Sequence, residues 1–462
     1  MNHTERWVYQ EDGPLRAKAV IKALENGQED WETHLVGFHF VEEVANGRDL
    51  RGLDLSGRDL RKARLERTTA WGASLQNANL QNVSLYRSAF NDALMSGVNL
   101  QGANCQHANF EGAVLQDANL QKASFANSRL THVDLSRANL DNAVLKSADF
   151  HGAILDDASL CDVDAEFVIF SRAHGKRTQA PRSNFRKSIW NRTVLRDANL
   201  DDADFSEANL AFVVLEGSSL QRANLNNARM RRGNLESVDL TGADLTGAQI
   251  KEALIGAIIL QKANLESADL SNTIAVPGAN LTGASLKNTV IRSARFDRAN
   301  LTDADLTGAD LAGTKLPAAN FHGTNLHGTN LSGADLTGAD MREAQLRGTR
   351  LDRTSLRNAS LEKVDLTDAD FERAYFAMAD VSDAEFNEQH EQHLAGSEGP
   401  ARIRRLPVAE ATAAPAGAAP EAAPETTATD GASNGESKAP KKGAKKAAPP
   451  PPAEPAPVDK TP

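Results

Sequence analysis

The chain has 462 residues, of which 40% are hydrophobic but only 5% aromatic, and a formal net charge of −11. That balance leaves nucleic-acid or membrane binding only as a local contact through basic segments, and the lack of any run of about 18 apolar residues excludes a helical membrane span. Two cysteines, Cys105 and Cys161, are too few for a disulfide framework, and the first residues lack the apolar core of a secretory signal, so a cytoplasmic location is expected.

Residues 1–47 stand apart from the rest. Gly13-Pro14 opens a stretch to Leu24 that reads as a helix, with Pro in its first turn and Gly27 beyond its end. A second apolar stretch, 31–45, reads better as helix than as strand, although 34–41 nearly alternates. The segment holds nine acids and four bases, a net of −5. It is expected to be a helical cap on the body of the protein or a docking module for a partner.

From about 48 to 388 a single pattern takes over. With few exceptions every fifth residue from Leu50 to Phe386 is Leu, Phe, Met or another apolar type. Two positions earlier stands Ala, Ser, Thr or Val, and between the two stands Asp or Asn, as in Ala118-Asn119-Leu120 and Ala309-Asp310-Leu311. A helix needs a period of about 3.6 and a coiled coil about 3.5, while a flat strand alternates throughout. Five fits a short strand, read inward, outward, inward, followed by a two-residue corner of turn-tolerant types. One pentad buries only a small and a large residue, so stability must come from stacking many of them.

These residues resemble the pentapeptide-repeat family, over some 68 consecutive pentads. The resemblance implies an all-β solenoid, a right-handed quadrilateral β-helix whose interior holds the central residue and the small residue before it. Independently, Phe90, Phe110, Phe150, Phe170 and Trp190 fall in one column if a coil takes 20 residues, and Phe125, Phe185 and Phe205 fall in the next. About 17 coils at strand spacing give a rod of roughly 80 Å with no room inside for a substrate. Cys105 is then inward and Cys161 outward.

The pattern weakens at 171–184, where Gly175 and Ala180 take central positions, and a loop is expected there. Arg172, Lys176, Arg177, Arg182, Arg186, Lys187, Arg192 and Arg196 follow one another without an intervening acid, a candidate partner-binding basic cluster. At 271–280 one extra residue enters, with Pro277-Gly278 marking a turn or bulge. Near the end Phe371, Tyr375, Phe376 and Phe386 make the last coils aromatic, either an end cap or a self-association surface. In some quinolone-resisting members of the family that end of the rod mediates dimer formation, so the resemblance admits a homodimer. Residues 389–462 are expected to hold a remnant of the cap and then a disordered Ala/Pro/Lys-rich tail.

No catalytic constellation emerges. The acids recur at one outward repeat position and do not converge. His390 and His393 alone are a weak metal signal, and no residue set calls for a cofactor. The expected function is therefore non-enzymatic: a structural or adaptor rod whose faces meet protein partners of unknown identity. The alternative, from the resemblance, is a DNA mimic that binds DNA gyrase or another DNA-binding protein.

Overall fold

A corner every five residues turns the chain back upon itself every 20. The computed structural model describes residues 5–36, 48–275, 277–387 and 402–404. All of them belong to one compact unit, Met1–Leu406, whereas Pro407–Pro462 lies outside the described residues. Most of the expected tail, His390, His393 and positions 37–45 of the second expected helix likewise lie outside them.

Parallel bridges join Asp49 to Thr69, Asp54 to Ser74 and Asp59 to Asn79, and so on along the chain, between residues 20 apart except across one coil near 277. A bridge position every five residues and a partner every 20 define four sides. The first carries central residues Leu50, Ala70, Phe90 and onward, the second Leu55, Leu75 and Met95, the third Leu60, Leu80 and Leu100, and the fourth Leu65, Leu85 and Cys105.

Backbone hydrogen bonding explains the pentad. Around Leu80, the central N–H donates to Asn99 O and the second corner N–H, of Asn82, to Gln101 O. The N–H of Val83 closes a turn onto Leu80 O, and that of Asn104 reaches back to Val83 O. Only the first corner N–H is left over, and the residue just before the centre takes it: Gln81 N–H donates to Asn79 Oδ1 at 3.2 Å. An Asx residue at this place thus completes the set. The second corner residue is left-handed, with φ of 59° at Asn82 and 67° at Gly97, which is why Asn, Asp and Gly recur there.

The interior is filled by stacked side chains. Phe150 lies on Phe170 at 4.8 Å, Phe170 on Trp190 at 4.3 Å and Phe185 on Phe205 at 5.0 Å, so the aromatic columns are formed. Thr193 and Thr314, in the small inward place, donate to carbonyls of the coil before, to Phe170 O at 2.6 Å and to Ile291 O at 2.8 Å. Their buried hydroxyls are thereby satisfied.

The loop expected at 171–184 is not there. His174 bridges Ile154 and Val194, and Gln179 bridges Ser159 and Asn199, in unbroken register. Neighbours replace the missing central side chain: a Cβ on Gly175 would collide with Thr178 Oγ1 and come within 2.7 Å of Leu195 Cδ2. Thr178 in turn donates to Leu155 O at 2.9 Å. Near 277, by contrast, the partner spacing lengthens by one, since Ile259 pairs with Asn280 and β1, Ile274–Ala275, pairs with β2, Arg295–Phe296. The added residue sits in the corner after β1, and the coils beyond it return to 20.

At the N-terminal end α1, Glu5–Tyr9, α2, Gly13–Glu25, and a 3₁₀ turn, Trp31–Leu35, lie on the first coil. Trp7, Val20, Leu24, Trp31 and Leu35 join the same buried cluster as Leu50, Leu55 and Leu60. Trp7 Nε1 donates to Arg51 O and Trp31 Nε1 to Arg64 O, each at 2.9 Å. The segment's acids meet arginines of the coils, Glu25 with Arg58, Glu29 with Arg64 and Glu32 with Arg48. At the other end β3, Glu385–Asn387, pairs in parallel with β4, Arg402–Arg404.

Candidate functional site: one apolar side

The outward strand residues differ from side to side. Along the third side they run Asn79, Asn99, Asn119, Asn139, Ser159, Gln179, Asn199 and Ser219. Along the second they run Leu94, Val114, Asp134, Ile154, His174, Val194, Val214, Asn234, Leu254 and Ile274. Seven of these ten are aliphatic. Leu94, Ile154, Leu254 and Ile274 are 38–50% exposed, and the valines are half-buried. The row has ends: Asp54 and Ser74 precede it, and Arg295 and Lys315 come after it. Ten coils at strand spacing make it about 43 Å long. An apolar strip that continues over so many coils is of the kind that marks interaction surfaces.

The row has a local cost. Leu94, Val114, Ile154, Val194 and Val214 cannot accept from the corner N–H that Asn79 or Asn119 would take. Where polar residues interrupt the row the bond returns, Ser136 N–H to Asp134 Oδ1 at 2.9 Å and Glu236 N–H to Asn234 Oδ1 at 3.1 Å. Phe212, in the corner leading into the second side, is also exposed and sits at φ 59°, where Gly or Asn is less strained. Arg192 lies over its ring at 5.6 Å.

The eight basic residues of 172–196 do not form one patch. Successive pentads face successive sides, which carries the eight to all four corners of the rod. Arg172 and Arg192 occupy the corner before the second side, Lys176, Arg177 and Arg196 the one after it, Arg182 the next, and Arg186 and Lys187 the last. Four of them have carboxylate partners one coil away: Arg177 with Asp157, Arg182 with Asp162, Lys187 with Glu207 and Arg196 with Glu216. Asp117 with Arg137 and Asp202 with Arg222 extend the same ladders. The arginine hydrogen bonds hold the carboxyls of Asp117, Asp157, Asp162 and Asp202 below their usual range.

Three of the four terminal aromatics point inward. Phe371, Phe376 and Phe386 are buried and meet edge to face at 5.4–6.2 Å, leaving Tyr375, 63% exposed on the second side, as the one available to a partner. As a surface the group reduces to that single ring; as core it closes the last coils. Cys105 is buried, which pushes its thiol up, and Cys161 is partly exposed beside Ser159.

One open surface depression of about 420 Å³ is bordered by Glu111, Arg129, His132, Asp149 and His151, with the two imidazoles edge to face at 5.8 Å. Among the described residues no group of three or more His, Cys, Asp or Glu could hold a metal ion. No helix among them is long and apolar enough to cross a membrane.

The family model of pentapeptide repeats matches this chain in overlapping stretches over 49–162, 182–255 and 279–387, more than half of its length. The chain belongs to the pentapeptide-repeat family, whose fold is a right-handed β-helix. No curated protein matches it in sequence. Among solved structures it is similar to HetL, a pentapeptide repeat protein involved in heterocyst differentiation regulation from the cyanobacterium Nostoc sp. strain PCC 7120, at 28% identity over 55% of this chain and 89% of that one, TM-score 0.24. It is also similar to QnrB1, a plasmid-mediated fluoroquinolone resistance protein, at 16% identity over 40% and 92%, TM-score 0.25. A third is a pentapeptide repeat protein of the Arabidopsis thaliana thylakoid lumen, at 25% identity over 26% and 74%, TM-score 0.13.

Proposed function

We propose that this protein is a non-enzymatic structural or adaptor protein, a β-helical rod that meets protein partners along its second side. The aliphatic row from Leu94 to Ile274 carries the reading. Those residues forgo the Asx hydrogen bond and expose apolar surface, which benefits the rod only when something covers it. A filled interior without an enclosed site fits a role in binding. A cytoplasmic location belongs to the same reading and is supported by two free cysteines in a chain without disulfides.

The alternative, mimicry of DNA toward gyrase, is opposed by charge. Without the N-terminal segment and the tail the rod carries a net of about −8, whereas about 80 Å of duplex carries roughly −47. Among the described residues no column of outward side chains holds a carboxylate in more than two consecutive coils, which speaks against an acidic stripe.

The test uses the full-length protein as bait beside two variants. One places lysine at Ile154, Val194 and Leu254, the other at Asn119, Asn139 and Asn199 of the third side. Partners retained by the third-side variant and lost by the second-side variant are the expected result. Equal capture by all three rules the second side out. Inhibition of supercoiling by purified DNA gyrase on adding the protein favours the mimic instead.

A further inference from the structure

We infer that the second side is covered by a second copy of this chain, packed antiparallel about a twofold axis lying between the coils of His174 and Val194. The inference rests on the proposed reading of that side as a docking surface, and it commits to an occupant.

Period comes first. The apolar side chains recur once per coil, at about 4.8 Å. An α-helix laid along the row presents its turns at about 5.4 Å, so it slips by roughly 0.6 Å per coil and loses a whole turn over the length of the row. A second copy has the same spacing and stays in step from end to end.

The order of residues along the row then selects the direction. Reversed about its midpoint, the row matches itself. Leu94 meets the partner's Ile274, Val114 the partner's Leu254, and Ile154 the partner's Val214. Asp134 meets the partner's Asn234, so the carboxylate faces an amide that can donate to it. Only His174, opposite the partner's Val194, pairs unlike types. A parallel arrangement in register places Asp134 against its own copy, two carboxylates together. The twofold also sets each edge against the same edge. Glu111 comes level with the partner's Lys251, and Arg137 with the partner's Glu236. Asp156 and Asp157 opposite the partner's Glu216, Arg172 opposite the partner's Arg192 and Lys176 opposite the partner's Arg196 work against it, tempered by the pairs that Arg177 already makes with Asp157 and Arg196 with Glu216. Such a self-complementary contact is what a twofold dimer requires.

Area sets the strength. A strip about 43 Å long and roughly 10 Å wide covers about 430 Å² per copy, near half of the about 800 Å² of a standard interface. The dimer is therefore weak and assembles with rising concentration.

Sedimentation velocity on the full-length protein, from low to high micromolar, is expected to show a monomer giving way to a dimer. V194K/V214K removes that shift while the far-ultraviolet circular dichroism stays unchanged. In a C161S background, L94C/I274C is joined into a covalent dimer by a short bis-maleimide, and L94C alone is not. A monomer at every concentration overturns the inference and leaves the proposed function to its own capture test. Joining of L94C alone as efficient as that of the pair overturns the antiparallel arrangement.

Discussion

The second and third sides share one interior and one backbone pattern, yet they resolve the same local problem differently. On the third side Asn99, Asn119 and Asn139 accept from the corner N–H two residues on, at 3.1, 3.2 and 2.9 Å. On the second side Leu94, Val114, Ile154, Val194 and Val214 stand where the Asx acceptor would be. The third side is built for its own stability; the second gives some of that up for an apolar strip. Departure from the repeat's preferred residue, more than the repeat itself, points to what the rod meets.

The comparison can be broken or sharpened by mutation. The largest effect lies in the interior that both sides share. Phe170→Ala removes a ring stacked on Phe150 and Trp190 and should cost about 3–5 kcal/mol. Chemical denaturation reads this, and a loss below about 1 kcal/mol would mean that the column does not pack as described. Next come the outward residues themselves. Asn119→Ala deletes an Asx hydrogen bond and should destabilise by about 1 kcal/mol. Val194→Asn gives Arg196 N–H an acceptor and should leave stability unchanged or raise it by up to about 1 kcal/mol. A loss for Asn119→Ala without one for Val194→Asn in thermal melts is the signature of the two sides, and a matching loss in both erases the distinction. Phe212→Gly relieves a left-handed aromatic and should stabilise by a few tenths of a kcal/mol after the loss of the Arg192 contact.

Acid distinguishes the corners from both sides. Asp117, Asp157, Asp162 and Asp202 titrate below an ordinary carboxylate because arginines donate to them. Their folded-state values lie below the unfolded ones, so their contribution is present above about pH 4 and fades as pH falls further. Replacing all four by Asn should lower the melting temperature modestly near neutrality and leave it nearly unchanged at about pH 3, so that the drop between the two is flattened. An unchanged drop would show the ladders to be solvated. Smallest of all, Arg137→Ala should barely move the melting temperature in physiological salt, since its pair with Asp117 is exposed.

The interior was legible in the sequence because its signal is periodic in the chain itself. Leu at every fifth place, and Phe90, Phe110, Phe150 and Phe170 at multiples of 20, needed only counting. The apolar side was harder to see. Its mark is a doublet, Val114-Leu115, Ile154-Leu155, Val194-Leu195, Val214-Leu215 or Leu254-Ile255, in which the usual Asx before the central residue is replaced. Each doublet is unremarkable alone, and the row emerges only when outward residues are read 20 apart. The basic residues of 172–196 misled for the converse reason, since neighbours in sequence are sent to different corners. Gly175 misled because a vacancy at a central position can be filled from the next coil by Leu195 and from its own by Thr178, which no local pattern records.

The spacing of 20 residues between bridged partners also has a mechanical meaning. Each coil is held by the coils directly above and below it, so tension applied at the two ends has no long-range contact to break at once. The rod should peel rather than snap, with each released coil letting out about 70 Å of extended chain. The N-terminal end is clasped by Trp7, Trp31 and three acid–arginine pairs, whereas the other end is covered by the short pairing of β3 with β4. Under load, then, the molecule should unravel from its C-terminal coils toward its helices, one ratchet step per turn of the helix.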